Sequence, residues 1–250
     1  GKPLAITNCL NFGNPEKPDV MWQFAEAVRG IGDACRDLET PVTGGNVSFY
    51  NETNENAIYP TPVIGMLGVL GPPERSVGLA FGRDGDEILL AGETRPGDFA
   101  GSEYSKVMNG IVAGRPPRLD MGAEKALQSF LIAAAEDALP ASAHDVSAGG
   151  TAVALSESAI AGGLGFSVEM SGADPHRWLF SESPSRAVLS CSSERTERVI
   201  ELAARHGVPV ARIGTVGGSR LDFGTFGVEL QDARDTFESA LPNRLSATMT

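Results

Sequence analysis

The sequence has no Cys-x-x-Cys spacing, no basic cluster and no long apolar run, and each absence removes a class of function. Its three cysteines, Cys9, Cys35 and Cys191, are odd in number and far apart, which argues against a zinc site and against a disulfide framework. Free thiols suit a reducing compartment, so the cytoplasm is the expected location. The 20 Lys and Arg residues are scattered among 32 Asp and Glu, for a net charge of −12. A nucleic-acid backbone therefore finds no electrostatic footprint, and no nucleic-acid partner is expected. Crossing a bilayer takes about 20 consecutive apolar residues. No stretch approaches that, no signal-type amino terminus is present, and no membrane partner is expected. G-x-S-x-G, G-x-x-x-x-G-K-[ST] and H-E-x-x-H are missing too. His176 and His206 sit in polar contexts and read as surface residues.

The 250 residues suffice for two modest domains, since single domains most often run about 100 to 150 residues. Hydrophobic content of 42% with 21% charged residues is ordinary for a globular protein, and 30 glycines with 16 prolines imply many specified turns. The chain starts Gly-Lys-Pro-Leu-Ala-Ile-Thr, without an initiator Met and inside what reads as a strand. It is expected to be part of a longer polypeptide.

The organising stretch is Thr43-Gly44-Gly45-Asn46-Val47-Ser48-Phe49-Tyr50-Asn51-Glu52. Gly-Gly-Asn is a turn signal, so a loop is expected between a short strand at Pro41 and Val42 and a second strand over 47–50. Glycines leave their N–H groups bare, and successive bare N–H groups make a concave anion site. Asn46 offers a neutral oxygen of the kind Mg²⁺ accepts alongside phosphates, and Ser48 offers a small hydroxyl. Upstream, Leu4 to Thr7 reads as a strand running into an Asn-, Gly- and Pro-rich loop that starts at Asn8. Asn8 and Asn11 are candidates there for nucleotide contacts or for closing turns.

Met21, Phe24, Ala25, Val28, Ile31, Cys35 and Leu38 recur at helical spacing, so 19–38 reads as an amphipathic helix, with Met21 and Trp22 as core anchors. A strand over 63–70 carries Gly65 and Gly68, which implies a close neighbour. The domain boundary is placed between 70 and 87, dividing the chain into 1–83 and 84–250. The second part reads as strands at 87–91, 166–170, 186–191 and 211–216, helices at 102–110, 123–139, 149–161 and 193–206, a hairpin around 221–230 and a final short helix. That alternation means α/β or α+β layering.

Two stretches of the second part carry candidate chemistry. Ala143-His144-Asp145-Val146-Ser147-Ala148-Gly149-Gly150 ends a strand and opens a helix, which favours anions, unless His144 and Asp145 cap the helix instead. Leu179-Phe180-Ser181-Glu182-Ser183-Pro184-Ser185-Arg186 reads as a solvated loop with a local ion pair.

Taken together, Thr7-Asn8-Cys9-Leu10-Asn11-Phe12-Gly13-Asn14-Pro15-Glu16-Lys17-Pro18, Thr40-Pro41-Val42, Gly44-Gly45-Asn46-Val47-Ser48, Tyr50-Asn51-Glu52, His144-Asp145-Val146-Ser147 with Gly149-Gly150, and Leu179-Phe180-Ser181-Glu182-Ser183 closely resemble phosphoribosylformylglycinamidine synthase, large synthetase subunit. The resemblance implies a two-domain α/β (α+β) unit of the aminoimidazole ribonucleotide synthetase-like ATP-binding superfamily. It also implies the second of two tandem repeats of the parent enzyme. The implied reaction is a ligation in purine biosynthesis: ATP activates the amide oxygen of formylglycinamide ribonucleotide, and ammonia from a partner glutaminase displaces the phosphate.

Carried over by position, Asn8 and Gly45 are implied ATP contacts, Asn46 a Mg²⁺ ligand, Ser48 a substrate contact and Asp145 a metal ligand at a second, non-catalytic nucleotide site. Asn8 stands where many relatives have Asp, so the charge is lost there. The family's catalytic His lies outside this chain, as does a helix with Glu and Asn metal ligands that precedes the first strand. Implied cofactors are ATP and Mg²⁺. Implied partners are the first half of the synthetase, a glutaminase subunit and a small accessory subunit, and self-association of the piece is expected because its apolar strands need cover. The rival readings are a non-catalytic nucleotide-binding scaffold half and another enzyme of the same superfamily. The Asn-Phe-Gly-Asn-Pro-Glu-Lys-Pro loop argues against the latter.

Overall fold

A computed structural model describes residues 1–169 and 174–248. The chain divides into two units, Gly1–Glu74 and Arg75–Thr250. The break falls nine residues before the expected 83/84 boundary, because Phe81 is fully buried in the second unit and its N–H bonds the Ser158 carbonyl.

The first unit holds strand β1 (Lys2–Asn11), helix α1 (Pro18–Asp37), strand β2 (Val42–Ser48), a small hairpin of β3 (Glu52–Thr53) and β4 (Asn56–Ala57), and strand β5 (Thr61–Val69). The main sheet has the order β2-β1-β5, with β2 parallel and β5 antiparallel to β1. Asn8 to Asn11 thus lie in a strand and not in a loop. Gly44, Gly45 and Asn46 lie within β2, so the expected turn does not exist. In an extended strand successive N–H groups point to opposite sides, which rules out the concave anion nest.

Helix α1 begins with Pro18 at its first turn and Asp19 beside it, as Pro's fixed φ and the helix dipole favour. Its core stripe is Val20, Phe24, Ala27 and Ile31, packed with Leu10, Phe12 and Phe49. Met21 and Trp22 fall outside that stripe. Trp22 is 65% exposed and neither residue anchors the core. All nine residues of β5 and six of the seven in β2 are exposed, including Leu67 at 64% and Val47 at 48%. Gly65 and Gly68 do have close neighbours: added Cβ atoms would lie 3.1 Å from the Thr7 methyl and 3.2 Å from the Lys2 carbonyl oxygen.

In the second unit β6 (Glu87–Ala91), β7 (Ser142–Asp145), β8 (Phe166–Val168), β9 (Ala187–Cys191), β10 (Val210–Val216), β11 (Arg220–Asp222) and β12 (Gly227–Glu229) form one sheet in the order β12-β11-β8-β10-β6-β9-β7. Its pairings are antiparallel except β11 with β8. The helices are α2 (Glu103–Asn109), α3 (Met121–Glu136), α4 (Gly150–Gly162), α5 (Pro175–Phe180), α6 (Ser193–Arg205) and α7 (Leu230–Thr248). Alternation along β6 sends Ile88 and Leu90 into one core with residues of α4, α5 and α7, and Leu89 and Ala91 into another with residues of α3 and α6. A sheet covered on both faces accounts for the continuous apolar runs of β6 and β9.

Helix α5 and the β3–β4 hairpin were not foreseen, and the final helix is long, at 19 residues. The expected strand over 166–170 ends at Val168, and Met170 lies outside the described residues.

Candidate functional site

The first group of candidates sits where β2 runs beside β1. Asn8 is in register with Gly45, Cys9 with Asn46 and Asn11 with Ser48. Strand alternation puts Asn8 and Gly45 on the face of Ile6 and Leu10, and Asn46 and Ser48 on the opposite face with Cys9 and Asn11. The five positions implied by the resemblance therefore do not share one surface. Asn8 and Gly45 form one pair, Asn46 and Ser48 form another on the reverse, and Asp145 belongs to the second unit.

Gly45 has a local structural cause. A Cβ there would stand 2.3 Å from the Asn8 carbonyl oxygen and 2.5 Å from its side-chain oxygen, a distance real side chains do not tolerate. Ser48 is fixed by Asn51, whose side-chain N–H₂ donates to the Ser48 Oγ at 3.1 Å, to the Ser48 carbonyl at 3.0 Å and to the Phe12 carbonyl at 3.0 Å. Next to it, Glu52 accepts from the Asn14 N–H at 3.1 Å and from the Lys17 ammonium at 2.9 Å. The Lys17 bond, then the Asn14 N–H, hold the Glu52 carboxyl below the usual carboxylate range. Sequence reasoning gave Asn51 and Glu52 no role, because Phe12, the distant partner of Asn51, and Asn14 and Lys17, the partners of Glu52, lie 39, 38 and 35 residues away in the chain. Strand β2 is an edge strand, so its outer N–H and C=O groups are open to a ligand that could reach both faces.

The second group is built around β7 and the start of α4. His144 is nearly buried: its Nε2 lies 2.9 Å from the Glu157 Oε2 and its Nδ1 3.2 Å from the Asp145 Oδ1. The Asp145 side chain is 77% exposed. Neither residue caps α4, whose N-cap is Gly149 in the left-handed region (φ 79°) with no side-chain cap. The helix start is instead occupied from within the chain. Glu182 Oε1 accepts from the Gly149 N–H and from the Glu103 N–H, each at 2.8 Å, so one carboxylate neutralises the amino-terminal ends of both α4 and α2.

This overturns the reading of Leu179 to Arg186 as a solvated loop. Ser181 and Ser183 are fully buried, and Arg186 is 2% exposed. The Arg186 guanidinium donates to the Ser183 and Ser181 carbonyls and to the hydroxyls of Thr94 and Thr151. Burial lowers its pKa to about 10, with the Asp98 carboxylate opposing the shift, so the guanidinium stays charged at neutral pH. His144, Asp145, Ser147, Glu182, Ser185 and Arg186 all line one cavity of about 520 Å³.

Among the described residues, no three His, Cys, Asp or Glu side chains converge to hold a metal ion. Asn46 and Asp145 each offer a single oxygen donor group. That fits Mg²⁺ only when phosphate oxygens complete the shell, which is the usual way Mg²⁺ is held. The three cysteines are free thiols, and no helix among the described residues is long and apolar enough to cross a membrane.

Comparison with known proteins follows the same division. The AIR synthase related protein, N-terminal domain, matches residues 1–70 and the AIR synthase related protein, C-terminal domain, matches residues 83–225. The phosphoribosylformylglycinamidine synthase subunit PurL of Thermobifida fusca is 52% identical over 246 residues, covering 96% of this chain and 32% of that protein. The PurL subunit of Moorella thermoacetica is 54% identical over 221 residues, covering 88% of this chain and 30% of that protein. The chain thus spans about a third of the length of the curated relatives it matches. Among solved structures, Thermotoga maritima PurL complexed with FGAR superposes with a TM-score of 0.72 at 22% identity, over 93% of this chain and 39% of that one. The same protein complexed with ATP gives 0.68 at 22% identity, over 93% and 38%. These likenesses support the fold. On the two profile matches, the chain belongs to the AIR synthase related protein family and carries both of its domains.

Proposed function

We infer that this chain is the second-repeat portion of the large subunit of phosphoribosylformylglycinamidine synthase and works as part of that ligase in the cytoplasm. The parent enzyme would convert formylglycinamide ribonucleotide, glutamine-derived ammonia and ATP to formylglycinamidine ribonucleotide, ADP and phosphate. The amide oxygen takes the γ-phosphoryl group of ATP, ADP leaves, and ammonia adds at the amide carbon as phosphate departs with that oxygen. The observation that carries this reading is the register of β2 against β1, which sets Gly45 beside Asn8 on one face of the sheet and Asn46 and Ser48 together on the other, with β2 at an open edge. The high identity to PurL subunits across nearly the whole chain supports it.

In this reading Asn8 and the Gly45 backbone hold ATP, and Ser48, oriented by Asn51, hydrogen-bonds the ribonucleotide. Asn46 gives an oxygen to Mg²⁺, and Asp145 gives one at a separate nucleotide site. Bound Mg²⁺ supplies neutralisation of the charge that develops on the phosphoryl oxygens. The partners are the first half of the synthetase, a glutaminase subunit and a small accessory subunit. PurL of Thermotoga maritima is known in a PurLQS structure, which is compatible with such an assembly.

A second reading makes this portion a nucleotide-binding scaffold whose job is to pair with the first half. The exposure of β5 on both faces favours it. Complementation separates the two from unrelated functions: the purified 250-residue chain should turn over no ribonucleotide with ammonia and ATP, and the remaining parent segment added in trans should restore turnover. Turnover by the chain alone would overturn the assignment.

A further inference from the structure

At the opposite ends of β6, β7 and β9 from the Asp145 cavity, the second unit holds another cavity of about 370 Å³, lined by Arg83, Asp86, Ser192, Ser193, Glu194 and Arg195 among others. Its chemistry is unusual in three respects. Asp86 is only 2% exposed, and its Oδ2 is buried without a hydrogen-bond partner; Arg83 and Arg195 act on it electrostatically without hydrogen-bonding that oxygen. A buried carboxylate oxygen without a donor is costly. Helix α6, 13 residues long, starts at this cavity, and its N-cap Ser192 makes no side-chain capping bond. Of the first-turn N–H groups, that of Arg195 bonds the Ser192 carbonyl at 2.9 Å, which leaves those of Ser193 and Glu194 at the positive end of the helix dipole. Finally, Arg83 and Arg195 oppose Asp86 and Glu194 around the rim. Arg195 is held in place by its bond to the Ala138 carbonyl at 2.8 Å and keeps further donors.

The sum of those four side-chain charges is zero, and both guanidinium groups act electrostatically on Asp86. A free anion would meet Asp86 and Glu194, and a metal ion would meet two guanidinium groups and a helix amino terminus. A ligand that carries a cationic donor and an anionic acceptor on adjacent atoms meets neither objection. We propose that this cavity binds a small zwitterion of the α-amino acid class, its ammonium donating to the buried Asp86 carboxylate and its carboxylate accepting from the start of α6 and from Arg83 and Arg195. The volume limits the ligand to a small molecule. The cavity shares no residue with the nucleotide and ribonucleotide positions inferred above, and the proposal stands whether or not they do.

The test is calorimetric titration of the full-length parent protein with glycine, and in parallel with acetate and with methylammonium, which carry one charge each. Glycine should bind at millimolar concentration while the two single-charge probes bind far more weakly. Asp86→Asn removes the charge with little change of shape and should weaken glycine about tenfold or more, the value of one charge-assisted hydrogen bond. Arg83→Gln on the exposed rim should weaken glycine as well, and decides the matter should Asp86→Asn fail to fold. Absence of glycine binding, acetate binding as tightly as glycine, or glycine binding unchanged in the folded variants would each overturn the proposal.

Discussion

Asn8 and Gly45 are packed so closely that a Cβ on Gly45 would stand 2.3 Å from the Asn8 carbonyl oxygen. The obstacle is a backbone atom in a paired strand, so it cannot swing aside. Gly45→Ala should therefore push β2 off β1 and destabilise the first unit by about 1–3 kcal/mol, the usual range for overpacking. Gly44→Ala meets nothing within 4 Å and should change stability by no more than about 0.5 kcal/mol. Amide hydrogen exchange in β1 and β2 reads the difference. Equal protection in both variants would mean that the strands are not held as described.

Asp86 gives a pH dependence with a defined sign. Burial raises its pKa above the ordinary Asp value, with Arg83 and Arg195 opposing the shift. The folded state then holds this proton more tightly than the unfolded chain does. Its contribution to stability is fully present below the ordinary Asp pKa of about 3.9 and is lost as pH rises through the raised value, leaving a buried charge at neutral pH. Asp86→Asn should accordingly raise the Tm at pH 7, with the gain shrinking as pH falls towards the ordinary Asp range. Thermal melts across that span check it. A constant gain at every pH, or a loss at pH 7, would contradict the account.

The first unit should self-associate when the chain is alone. Met66, Leu67 and Val69 of β5 and Val47 of β2 are all about half exposed or more, and one helix cannot cover both faces of a sheet. Exposed contiguous apolar surface of this kind marks an interaction site, and a two-fold dimer is the simplest closure. Light scattering at micromolar concentration should show a dimer or larger species, dispersed by Leu67→Glu. A monodisperse wild-type monomer would remove the argument for a partner.

The parts of the fold that were legible in the sequence are those written in local periodicity. Phe24 and Ile31 sit at helical spacing and lie in the α1 core, and the apolar run Ile88 to Ala91 is a buried strand. What escaped was set by distant neighbours. Gly44-Gly45-Asn46 carries a turn signal, yet Gly45 is there because Asn8 crosses it 37 positions away. Arg186 looked solvated beside Glu182 and three serines. Its real acceptors include Thr94 and Thr151, 92 and 35 positions off, and the donors to Glu182 are the starts of two helices. The candidate site was legible as a set of residues but not as a geometry. Nothing local indicates that Asn8 and Asn46 end on opposite faces of a sheet.

The central claim is that Asn46 and Ser48 serve different substrates from one strand edge, and steady-state kinetics of the full-length parent test it most directly. Losing a metal ligand removes charge stabilisation in the transition state, whereas losing one neutral hydrogen bond costs about 0.5–1.5 kcal/mol, or roughly twofold to thirteenfold in kcat/KM. Asn46→Ala should impair Mg-ATP use by more than that, and Ser48→Ala should chiefly raise KM for the ribonucleotide. Equal effects of both variants on both substrates would contradict the account.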